Sequence, residues 1–485
     1  DGTGDFDVVR GSGATRVNAK GLIEDMRYTT GNLVDYSTLT PSSSAFSLNA
    51  EGKYVFDDSG NAYLTTPNIV VNVGDVFNVL VDVSVPGGGD ANFRYTKGNA
   101  QTILFGYTDF PDGVTEFQAT VTGNDGYLDR IFYPASLNDG ENTLNRFEVT
   151  KVVDDTNLPR IDYTDGTPSL LVEPQATNLV THHNVFDAVS GGTTTNNQVS
   201  PDGTTNAIKI FFSTGANSGA KIRVGGSSAT PSTEYTISFY AKNFSGDGTF
   251  RLRLDTDTQA TLVNENFTAT SEWVRYTHTF TTDAAASSFG SSSRFRKFTD
   301  NNEVLFYGVQ LEEGSEATSL ITTSGAIATR LEDVVTGAGD ANTFNDSEGV
   351  LYFEGSALVN GGTSRIVSLS DGTNDNLVYI RFDLSVNRFF AFARGSGGSY
   401  TSTLKNGINQ TDNNKVAVSW DATDLKMYIN GALVASTTLN NLPVGLDRLS
   451  FSDPIGASEF EGNCKELRTY NTALTDAELI TLTTL

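Results

Sequence analysis

The stretch TEYTISFYAKN, residues 233–243, alternates apolar side chains with mostly polar ones along its whole length. Successive side chains of a β-strand point to opposite faces, so one residue in two faces the same side. On this pattern one face holds Tyr235, Ile237, Phe239 and Ala241. The stretch DVFNVLVDVSV, residues 75–85, has the same period. Both stretches predict strands that bury one face against a core.

The stretch VLFYGVQLEEG, residues 304–314, is a third strand of this kind. Its period of two places on one face Leu305, Tyr307, Val309 and Leu311. Runs like these recur at short intervals, separated by turns such as NDG (138–140) and SGDG (245–248). Short strands between such turns are typical of antiparallel sandwiches. The sequence therefore predicts an all-β protein made of several β-sandwich domains.

Helical periodicity is nearly absent from the chain. The best candidate is TDAELITLTTL, residues 475–485. Thr475 and Glu478 have the spacing of a capping box, in which each side chain binds a free backbone N–H of the first turn. We expect a short helix or turn that packs against the last sandwich.

Length and charge limit the classes of function. A chain of 485 residues favours about three domains. Asp and Glu number 58 against 32 Lys and Arg, which gives a net charge of -26. This charge repels a phosphate backbone, so nucleic-acid binding is disfavoured. No apolar stretch approaches the ~20 residues that a spanning helix needs, which argues against membrane insertion.

Two parts of the chain contain the same succession of strands. In residues 32–152, the strand at 75–85 is followed by TEFQATVTG and by a closing strand, NRFEVTKV. In residues 182–313, the strand at 233–243 is followed by SEWVRYTHTFTT and by NEVLFYGVQLEEG. We infer two copies of one sandwich type, followed by a different β unit over residues 346–485.

The segments YTISFYAKN, EWVRYTHTFTT and VLFYGVQLEEG make residues 182–313 resemble a carbohydrate-binding-module jelly roll. Modules of this kind are found beside bacterial glycanases. Residues 32–152 look like a more divergent copy. The resemblance implies two jelly rolls with sugar-binding-type surfaces.

Residues 346–485 resemble the laminin-G/concanavalin A-like lectin fold. VAVSWDATDLKMYINGALVAS (416–436) matches the strand–turn–strand of that family, and ELRTYNTALTDAEL (466–479) matches its closing strand and terminal turn. The first of these segments turns at Asn430 and Gly431, because both central residues of a type I′ hairpin turn take positive φ. The resemblance implies a concanavalin A-like sandwich at this end.

Three segments outside the strand patterns resemble parts of tailed-phage virion proteins, which are fibre-like or head-decorating proteins with sugar-binding-type modules. The segments are VVRGSGATRVNAKGLIED (8–25), LPRIDYTDGTPSLLVEPQATNLV (158–180) and GVQLEEGSEATSLITTSGAIATRLEDVV (308–335). The matching positions are 14–16, 21–23, 159–163, 170–174 and 177–179. In simpler members the first two segments lie close together, so the module at 32–152 is here an insertion between them.

Residues 1–31, 153–181 and 314–345 are therefore expected to be extended connectors between the modules. Pro159 and Pro174 fix φ and lack a backbone N–H, so they delimit a short extended piece. SLLVE lies between the two prolines and can pair as a strand. This predicts a connector that is docked against a module or against a neighbouring subunit.

The sequence offers few candidate catalytic residues. A catalytic loop built on Asp162, Asp165 and Glu173 is the alternative to the docked connector. The Glu-x-Asp-x-x-Glu strand of retaining glycosidases is absent, because no Glu has an Asp two residues later. Structural or surface roles are expected for His182, His183 and His278, and Cys464 is expected to be a buried small residue. We therefore predict a protein that is not an enzyme.

Exposed aromatic rings are the usual sugar contacts of such modules, because the C–H faces of pyranoses pack on them. Tyr107, in FGYTDFPDG, and Tyr400, in RGSGGSYTS, are the candidate ligand-binding residues. Trp273 and Trp420 stand where the resembled families place a framework aromatic residue. The resemblance therefore implies structural roles for both tryptophans.

No cofactor is required by these patterns, but calcium fits two acidic turns. Both resembled sandwich families often bind calcium through Asp and carbonyl oxygens. LDTDTQ offers Asp255 and Asp257, whereas SDGTNDN offers Asp371, Asp375 and Asn376. Neither is a complete ligand loop, so acidic turns without metal are the alternative.

Together these patterns predict a non-enzymatic structural protein at the virion surface of a tailed phage, on the capsid or the tail. Its expected partners are other virion proteins, copies of itself (with a trimer favoured), and cell-surface or environmental glycans. Several copies would supply the avidity that one shallow site lacks. One alternative is a bacterial surface adhesin or the binding portion of a secreted polysaccharide-degrading enzyme. The other is a purely architectural, capsid-stabilising protein that binds no sugar.

Overall fold

The structure is a computed structural model that describes the residues in these ranges: 5–25, 28–29, 32–43, 46–56, 62–88, 90–97, 102–133, 142–153, 156–215, 217–395, 398 and 400–485. Strands dominate these ranges, and helix is confined there to one 3₁₀ turn and one C-terminal α-helix. The predicted all-β class with several sandwiches is confirmed. None of the helices in these ranges has the length and apolar character needed to cross a membrane.

The chain divides into two compact units. One, the inserted unit, comprises Arg27–Asp155, and the other, the main unit, comprises Asp1–Met26 and Thr156–Leu485. The first predicted jelly roll lies in the inserted unit. The main unit holds the other two predicted sandwiches and the segments expected to connect them.

The main unit begins with β1 (Asp7–Val9), β2 (Thr15–Val17) and β3 (Ile23–Asp25). The inserted unit has a 3₁₀ turn at Tyr36–Thr38 and the strands β4 (Tyr28–Thr29), β5 (Thr40–Pro41), β6 (Phe46–Leu48), β7 (Tyr54–Phe56), β8 (Ala62–Val71), β9 (Val76–Ser84), β10 (Asp90–Thr96), β11 (Thr102–Pro111), β12 (Gly113–Thr120), β13 (Thr122–Gly123), β14 (Gly126–Tyr133) and β15 (Asn142–Val153). Its two antiparallel sheets have the orders β13-β11-β10-β14-β8-β5 and β12-β9-β15-β7-β6, with β4 on β15.

The core of the inserted unit lies between these two sheets. Along β9 every second residue points inward, and the buried set is Phe77, Val79, Val81 and Val83. The alternation predicted for this strand is confirmed. Its outward residues are only partly covered, because they face away from the partner sheet.

The main unit continues with β16 (Arg160–Asp162), β17 (Ser169–Val172) and β18 (Ala176–Asn178). The second jelly roll follows with β19 (Phe186–Val189), β20 (Thr193–Gln198), β21 (Ala207–Phe212), β22 (Gly219–Ile222), β23 (Glu234–Ser245), β24 (Thr249–Asp255), β25 (Thr261–Thr268), β26 (Val274–Thr281), β27 (Arg294–Lys297) and β28 (Asn302–Glu313). Its antiparallel sheets have the orders β19-β22-β27-β24-β25 and β20-β21-β28-β23-β26.

The two jelly rolls have the same strand order. Along the chain, β5 to β12 correspond one to one with β19 to β26, and β14 and β15 correspond with β27 and β28. On this basis the sheet β12-β9-β15-β7-β6 is equivalent to β26-β23-β28-β21-β20. The sheet β11-β10-β14-β8-β5 is equivalent to β25-β24-β27-β22-β19, and β13 is an addition in the first copy. The predicted internal repeat is confirmed.

Strand β28 departs from its predicted pattern. The sequence predicts Leu305 and Tyr307 on the core face, but Val304 and Phe306 occupy that face instead. Gly308 takes a φ of 63°, and the pairing of β28 with β23 shifts register at this point. A bulge puts the alternation out of phase on its two sides. The predicted phase is therefore wrong for the first half of the strand.

The C-terminal sandwich completes the main unit. Its chain runs through β29 (Ala328–Arg330), β30 (Val334–Thr336), β31 (Gly349–Ala357), β32 (Arg365–Ser370), β33 (Leu377–Phe382), β34 (Arg388–Arg394), β35 (Thr401–Asn406), β36 (Asn414–Trp420), β37 (Asp424–Ile429), β38 (Ala432–Thr438), β39 (Arg448–Ser450), β40 (Gly462–Tyr470) and α1 (Asp476–Thr483). Its sheets have the orders β16-β17-β40-β31-β36-β37-β38 and β35-β34-β33-β32-β39.

The predicted connectors pair with strands from distant parts of the sequence. β17, which is the SLLV of the second connector, pairs with β40 and extends the larger sheet of the C-terminal sandwich. The small sheets β1-β30 and β18-β29 join different connectors, and β2 pairs with β3. The strand predicted between Pro159 and Pro174 is therefore present. These segments are parts of the main unit and not free linkers.

Two local predictions in the C-terminal sandwich are confirmed. Asn430 and Gly431 have φ of 50° and 82°, as a type I′ turn requires. Thr475 caps α1, and both hydrogen bonds of the capping box with Glu478 are present. Leu479 of the helix is fully buried in a cluster on the outer face of the larger sheet.

Candidate functional site

The three connectors meet at a buried cluster of charges, which we call the arginine–carboxylate network. Its members are Arg10, Arg160, Glu173, Arg330 and Asp333, with side chains only 0–3% exposed. Arg160 donates hydrogen bonds to both Glu173, at 2.6 Å, and Asp333. Arg10 donates to Asp333 at 2.8 Å, and Arg330 donates to Glu173 at 2.7 Å. The network therefore ties residues 8–25, 158–180 and 308–335 together.

The carboxylates of the second connector hold that connector against other parts of the main unit. Burial by itself raises the pKa of Glu173, but the guanidinium groups of Arg330 and Arg160 outweigh it and lower that pKa to about 2. Asp162 accepts hydrogen bonds from two backbone N–H groups, each at 2.8 Å. Asp165 forms an ion pair with Lys465 at 2.6 Å. An ionised, enclosed Glu173 is unsuited to act as a general acid, so the geometry favours the docked connector over the catalytic loop.

The lowered pKa of Glu173 predicts acid sensitivity of the main unit. Its pKa is lower in the folded protein than in the unfolded chain, so its stabilising contribution is present above about pH 4.5. That contribution is lost as the pH falls from about 4.5 to about 2, and it amounts to about 3 kcal/mol. Urea unfolding of the full chain across this range should show the midpoint of the main unit falling. A midpoint that is constant over this range would contradict the prediction.

A cavity of about 390 Å³ adjoins the network. Its walls are formed mainly by connector residues, among them Thr15, Asp162, Tyr163 and Leu320. Tyr240 and Arg275 of the second jelly roll also line it, as do Leu358 and Asn463 of the C-terminal sandwich. Since the polar lining groups Asp162 and Glu173 already hold chain segments, we assign the cavity to the connector junction.

The connectors also cover one face of the second jelly roll. Thr236 and Ser238, on the outward side of β23, are 1% and 0% exposed. Thr236 donates a hydrogen bond to the carbonyl of Gly314 at 2.8 Å, and Arg275 bridges Ser238 and the carbonyl of Thr318. These contacts cover the part of the face around Thr236 and Ser238, so a ligand has no access there.

The equivalent face of the first jelly roll carries an open groove. It lies across β12, β9 and β15, has a volume of about 480 Å³, and is lined in part by Asn78, Glu116, Gln118, Glu148 and Thr150. The Gln118 amide donates to the Asn78 side chain at 3.0 Å. The two copies therefore share a strand order but present different surfaces at the same place.

The candidate functional site is the outward face of the smaller sheet of the C-terminal sandwich. Tyr400 is 58% exposed, and its ring lies 4.9 Å from that of Phe392. Phe392 in turn stacks on Tyr379 with a centroid distance of 4.6 Å and an interplanar angle of 2°. The guanidinium of Arg394 lies over the Tyr400 ring at 4.4 Å and donates to its hydroxyl at 3.0 Å. We call these four residues the aromatic–arginine row.

Strand pairing explains why this row forms. In RFFAFAR, the sequence of β34, Phe389, Ala391 and Ala393 face the core, so the intervening residues face outward. Phe392 is directly opposite Tyr379 of the neighbouring strand β33. The alternation in β34 could have revealed these outward positions. Which rings meet is set by the pairing of β34 with β33 and with β35, and those contacts were not predicted.

The second acidic turn lies beside the same row. Arg394 forms an ion pair with Asp375 at 3.2 Å and donates to the carbonyl of Asn374 at 2.7 Å. The Asn376 amide donates to Asp371 at 2.8 Å. The structure therefore brings together Tyr400 and the turn that holds Asp371 and Asp375. An exposed tyrosine ring beside a cation and the exposed carboxylate of Asp375 suits a sugar.

The calcium candidates have protein partners. Arg253 donates to both carboxylate oxygens of Asp255, at 2.7 and 2.9 Å. Asp257 is exposed and accepts a hydrogen bond from Ser287 at 3.2 Å. Asp371 accepts from Thr373 as well as from Asn376. Over the described ranges, no three His, Cys, Asp or Glu side chains are gathered as metal ligands would be. Calcium binding stays a prediction.

The remaining candidates are placed as follows. Tyr107 is 48% exposed on the first jelly roll, beside Arg94 and Phe132, and far in sequence from the row around Tyr400. Trp273 packs on a small cluster that includes Ile23 and Tyr307. Trp420 is 2% exposed in the core of the C-terminal sandwich.

The histidines and the cysteine lie in framework positions. His183 is buried, and burial lowers its pKa. His182 forms a bridge with Ser324, and His278 lies on β26 opposite Ile237. Cys464 is buried in β40, and burial raises the pKa of its thiol. These surroundings suit a structural role for the three histidines and for Cys464.

Residues 356–480 match the family described as the concanavalin A-like lectin/glucanases superfamily, of the laminin-G type. The C-terminal sandwich is therefore a concanavalin A-like domain, as the resemblance implies. No curated protein matches the chain.

Solved structures similar to parts of the chain include three sugar-related modules. The CBM40 module of the Ruminococcus gnavus IT-sialidase is 18% identical, with 30% of this chain and 93% of that chain covered and a TM-score of 0.27. Domain 4 of AbnA, a GH43 extracellular arabinanase from Geobacillus stearothermophilus, is 15% identical over 35% and 82%, with a TM-score of 0.25. The CBM22-1-CBM22-2 tandem of Paenibacillus barcinonensis Xyn10C is 13% identical over 65% and 99%, with a TM-score of 0.25. TM-scores this low carry no information about ligands.

Proposed function

We propose that this protein is a non-enzymatic structural protein on the surface of a tailed-phage virion, as a capsid decoration, a head fibre or a tail fibre, and that it binds glycans. The glycan-binding part rests on the aromatic–arginine row of the C-terminal sandwich. This row lies in the domain that matches a lectin and glucanase superfamily. Its exposed tyrosine ring offers a stacking surface for the C–H face of a pyranose.

The polar groups around the row would orient the sugar. Arg394 and Asp375 offer donors and acceptors next to the Tyr400 ring, and a sugar hydroxyl needs both. A single exposed ring gives weak binding. Display in several copies, with a trimer favoured, would raise the avidity.

The virion part is supported by the connectors. The three segments that resemble virion proteins lie far apart in the sequence, but they meet in the arginine–carboxylate network. This convergence supports the interpretation that the three segments form one structural feature. A device that rigidly joins the C-terminal sandwich to the second jelly roll suits a protein that holds a binding domain away from a particle surface.

One module favours an architectural role. The face of the second jelly roll that would be equivalent to the open groove is filled by Gly314, Thr318 and their neighbours. That face acts as a docking surface for the chain's own connectors. We propose that the second jelly roll serves partly as a support.

The test of the virion assignment is electron microscopy of purified particles labelled with an antibody against residues 346–485. We expect labelling on the phage capsid or tail, and the position separates a decoration from a receptor-binding fibre. Labelling of a bacterial surface, with the phage particles bare, would overturn the assignment in favour of an adhesin. The virion assignment would also be overturned if the antibody instead detected residues 346–485 as part of a polysaccharide-degrading enzyme secreted into the culture medium.

Replacing Tyr400 with alanine should weaken glycan binding by about fivefold to tenfold, since one stacked ring contributes about 1 kcal/mol. The measurement is glycan-array screening of the full chain, followed by titration with the best sugar. Phe244→Ala is the matched control, because Phe244 is also an exposed ring beside a cation, Lys209, but lies on the second jelly roll. Equal loss in both variants, or in neither, would count against the aromatic–arginine row.

A further inference from the structure

Four arginines form a block on the second jelly roll, on the outward face of the sheet β19-β22-β27-β24-β25. Arg251 and Arg253 lie on β24, and Arg294 and Arg296 lie on β27. Arg251 is directly opposite Arg296, and Arg253 is directly opposite Arg294. Lys221 of β22 continues the second of these rows, because it is opposite Arg294. We call these five residues the arginine block.

The block has an electrostatic cost. Directly opposed residues in an antiparallel sheet have Cβ atoms about 5 Å apart, and like charges at that distance are destabilising. The pKa of Arg294 and of Arg296 is lowered, first by burial and then by neighbouring arginines. The chain as a whole has 58 acidic against 32 basic residues, so this clustering of cations runs against its composition.

Neutralisation of the face is partial. Arg253 is paired with the buried Asp255, and Arg223 beside the block is paired with Asp187 at 2.8 Å. Arg251 donates to the neutral amide of Asn266 at 2.7 Å, and Arg294 contacts the neutral amide of Asn217 at 3.4 Å. These two neutral contacts do not offset the positive charges of Arg251 and Arg294.

We propose that the arginine block binds a carboxylated polysaccharide, such as a chain of uronic acids. The guanidinium fork matches a carboxylate in two parallel hydrogen bonds, so arginine suits this group better than a point charge does. Neighbouring strands are about 4.8 Å apart, which places successive cations at distances comparable to one sugar residue. The exposed ring of Phe298, beside Arg251, adds a stacking surface at one end.

A nucleic acid fits the same block less well. Duplex DNA carries about one charge per 1.7 Å, so the net charge of -26 repels it more strongly, beyond the contact area, than a polyanion of lower charge density. A uronic-acid chain, with one charge per sugar residue, carries fewer charges for its length than duplex DNA, and it also presents hydroxyls to the outward amides of Asn264 and Asn266. The site lies on a different module from Tyr400, so it stands or falls independently of the aromatic–arginine row.

The test is a calorimetric titration of the full chain with oligogalacturonate, carried out at low and at physiological salt concentration. We expect binding that weakens with added salt. The variant Arg251→Gln/Arg296→Gln should weaken binding at least about tenfold, and Lys221→Gln/Arg294→Gln should do the same. Both variants should fold, because each substitution removes like-charge repulsion, and thermal unfolding checks this point.

The matched control is Arg146→Gln/Arg468→Gln, which removes the same charge from exposed arginines that are paired with a nearby glutamate. Equal binding by this control and by the block variants would overturn the proposal, because a general charge effect would then explain it. Equal binding of neutral xylan, or tighter binding of a single-stranded DNA with the same number of charges, would also overturn it. A change of oligomeric state in the block variants would assign the face to contact between copies instead.

The outcomes also separate this proposal from the proposed function. Loss of oligogalacturonate binding in the block variants, with Tyr400→Ala unchanged, supports the block as a site of its own. Glycan-array binding that depends on Tyr400, without any oligogalacturonate binding, overturns the block and leaves the proposed function in place.

Discussion

Replacing Arg160 with alanine should destabilise the main unit by about 3–5 kcal/mol, because it leaves two buried carboxylates without their shared partner. Arg160 contacts both Glu173 and Asp333, and the side chains of all three are at most 3% exposed. Removing the guanidinium breaks its buried hydrogen bonds to both carboxylates and leaves Glu173 with Arg330 and Asp333 with Arg10 as their remaining cations. The measurement is urea unfolding at pH 7, with the change in midpoint followed for the main unit.

The control for this experiment is Arg468→Ala. Arg468 is also paired with a glutamate, Glu466, but its side chain is 50% exposed. An exposed pair of this kind contributes about 0–1 kcal/mol, so the variant should unfold almost as the wild type does. The unfolding of the inserted unit, which has its own core, should be unchanged in both variants. Similar small effects of Arg160→Ala and Arg468→Ala would mean that the network does not hold the connectors.

Replacing Asn178 with alanine is expected to cost about 3 kcal/mol or more, although this residue is uncharged. Its fully buried amide donates to the carbonyls of Val309 and Ile321, at 3.3 and 2.9 Å. Its side-chain oxygen accepts from the N–H groups of Val180 and Leu311, at 3.0 and 3.1 Å. Alanine would leave these four buried backbone groups without that partner, and each such group costs about 1–3 kcal/mol.

Asn406→Ala is the matched control for this second prediction, because Asn406 is exposed at the end of an edge strand. It should change stability by less than about 0.5 kcal/mol. Hydrogen exchange of the Leu311 and Val180 amides would locate the effect, since both should lose protection in Asn178→Ala. Unaltered protection of both amides would show that the Asn178 side chain is not what joins the second connector to β28.

These two predictions concern the same physical question, which is how one unit holds two sandwiches and three connectors together. Asn178 belongs to the Thr-Asn-Leu part of the second connector, and Arg160 belongs to its Pro-Arg part. Both side chains reach other segments through buried polar contacts. Such contacts are directional, so they fix the relative placement of the segments more narrowly than apolar burial alone would.

The sequence alone determined the class of the fold and much of its local structure. Period-two alternation predicts strands because successive side chains of a strand face opposite sides, and β9 follows it with every second residue buried. Asn430 and Gly431 and the Thr475 capping box are also local, since each depends on the conformation of a few consecutive residues. The internal repeat could also be predicted, because the succession of strand patterns along the chain can be compared directly between the two copies.

The candidate sites were only partly predictable. Tyr400 could be proposed from an exposed-ring argument, and its loop position is evident from the glycines and serines around it. Its partners Phe392 and Arg394 lie on β34, and Tyr379 lies on β33. Which ring stacks on which is set by strand register, and register does not follow from the spacing of residues along one strand.

Only the tertiary structure decided which faces of these strands meet solvent. Thr236 and Ser238 have the polar character of outward residues, but Gly314 and Arg275 cover them, so β23 is buried on both faces. The bulge at Gly308 changes which residues of β28 face the core. The arginine–carboxylate network joins segments that lie more than 300 residues apart in the chain. Contacts between segments this distant depend on the packing of the whole unit, whereas the pattern along a strand depends only on neighbours in sequence.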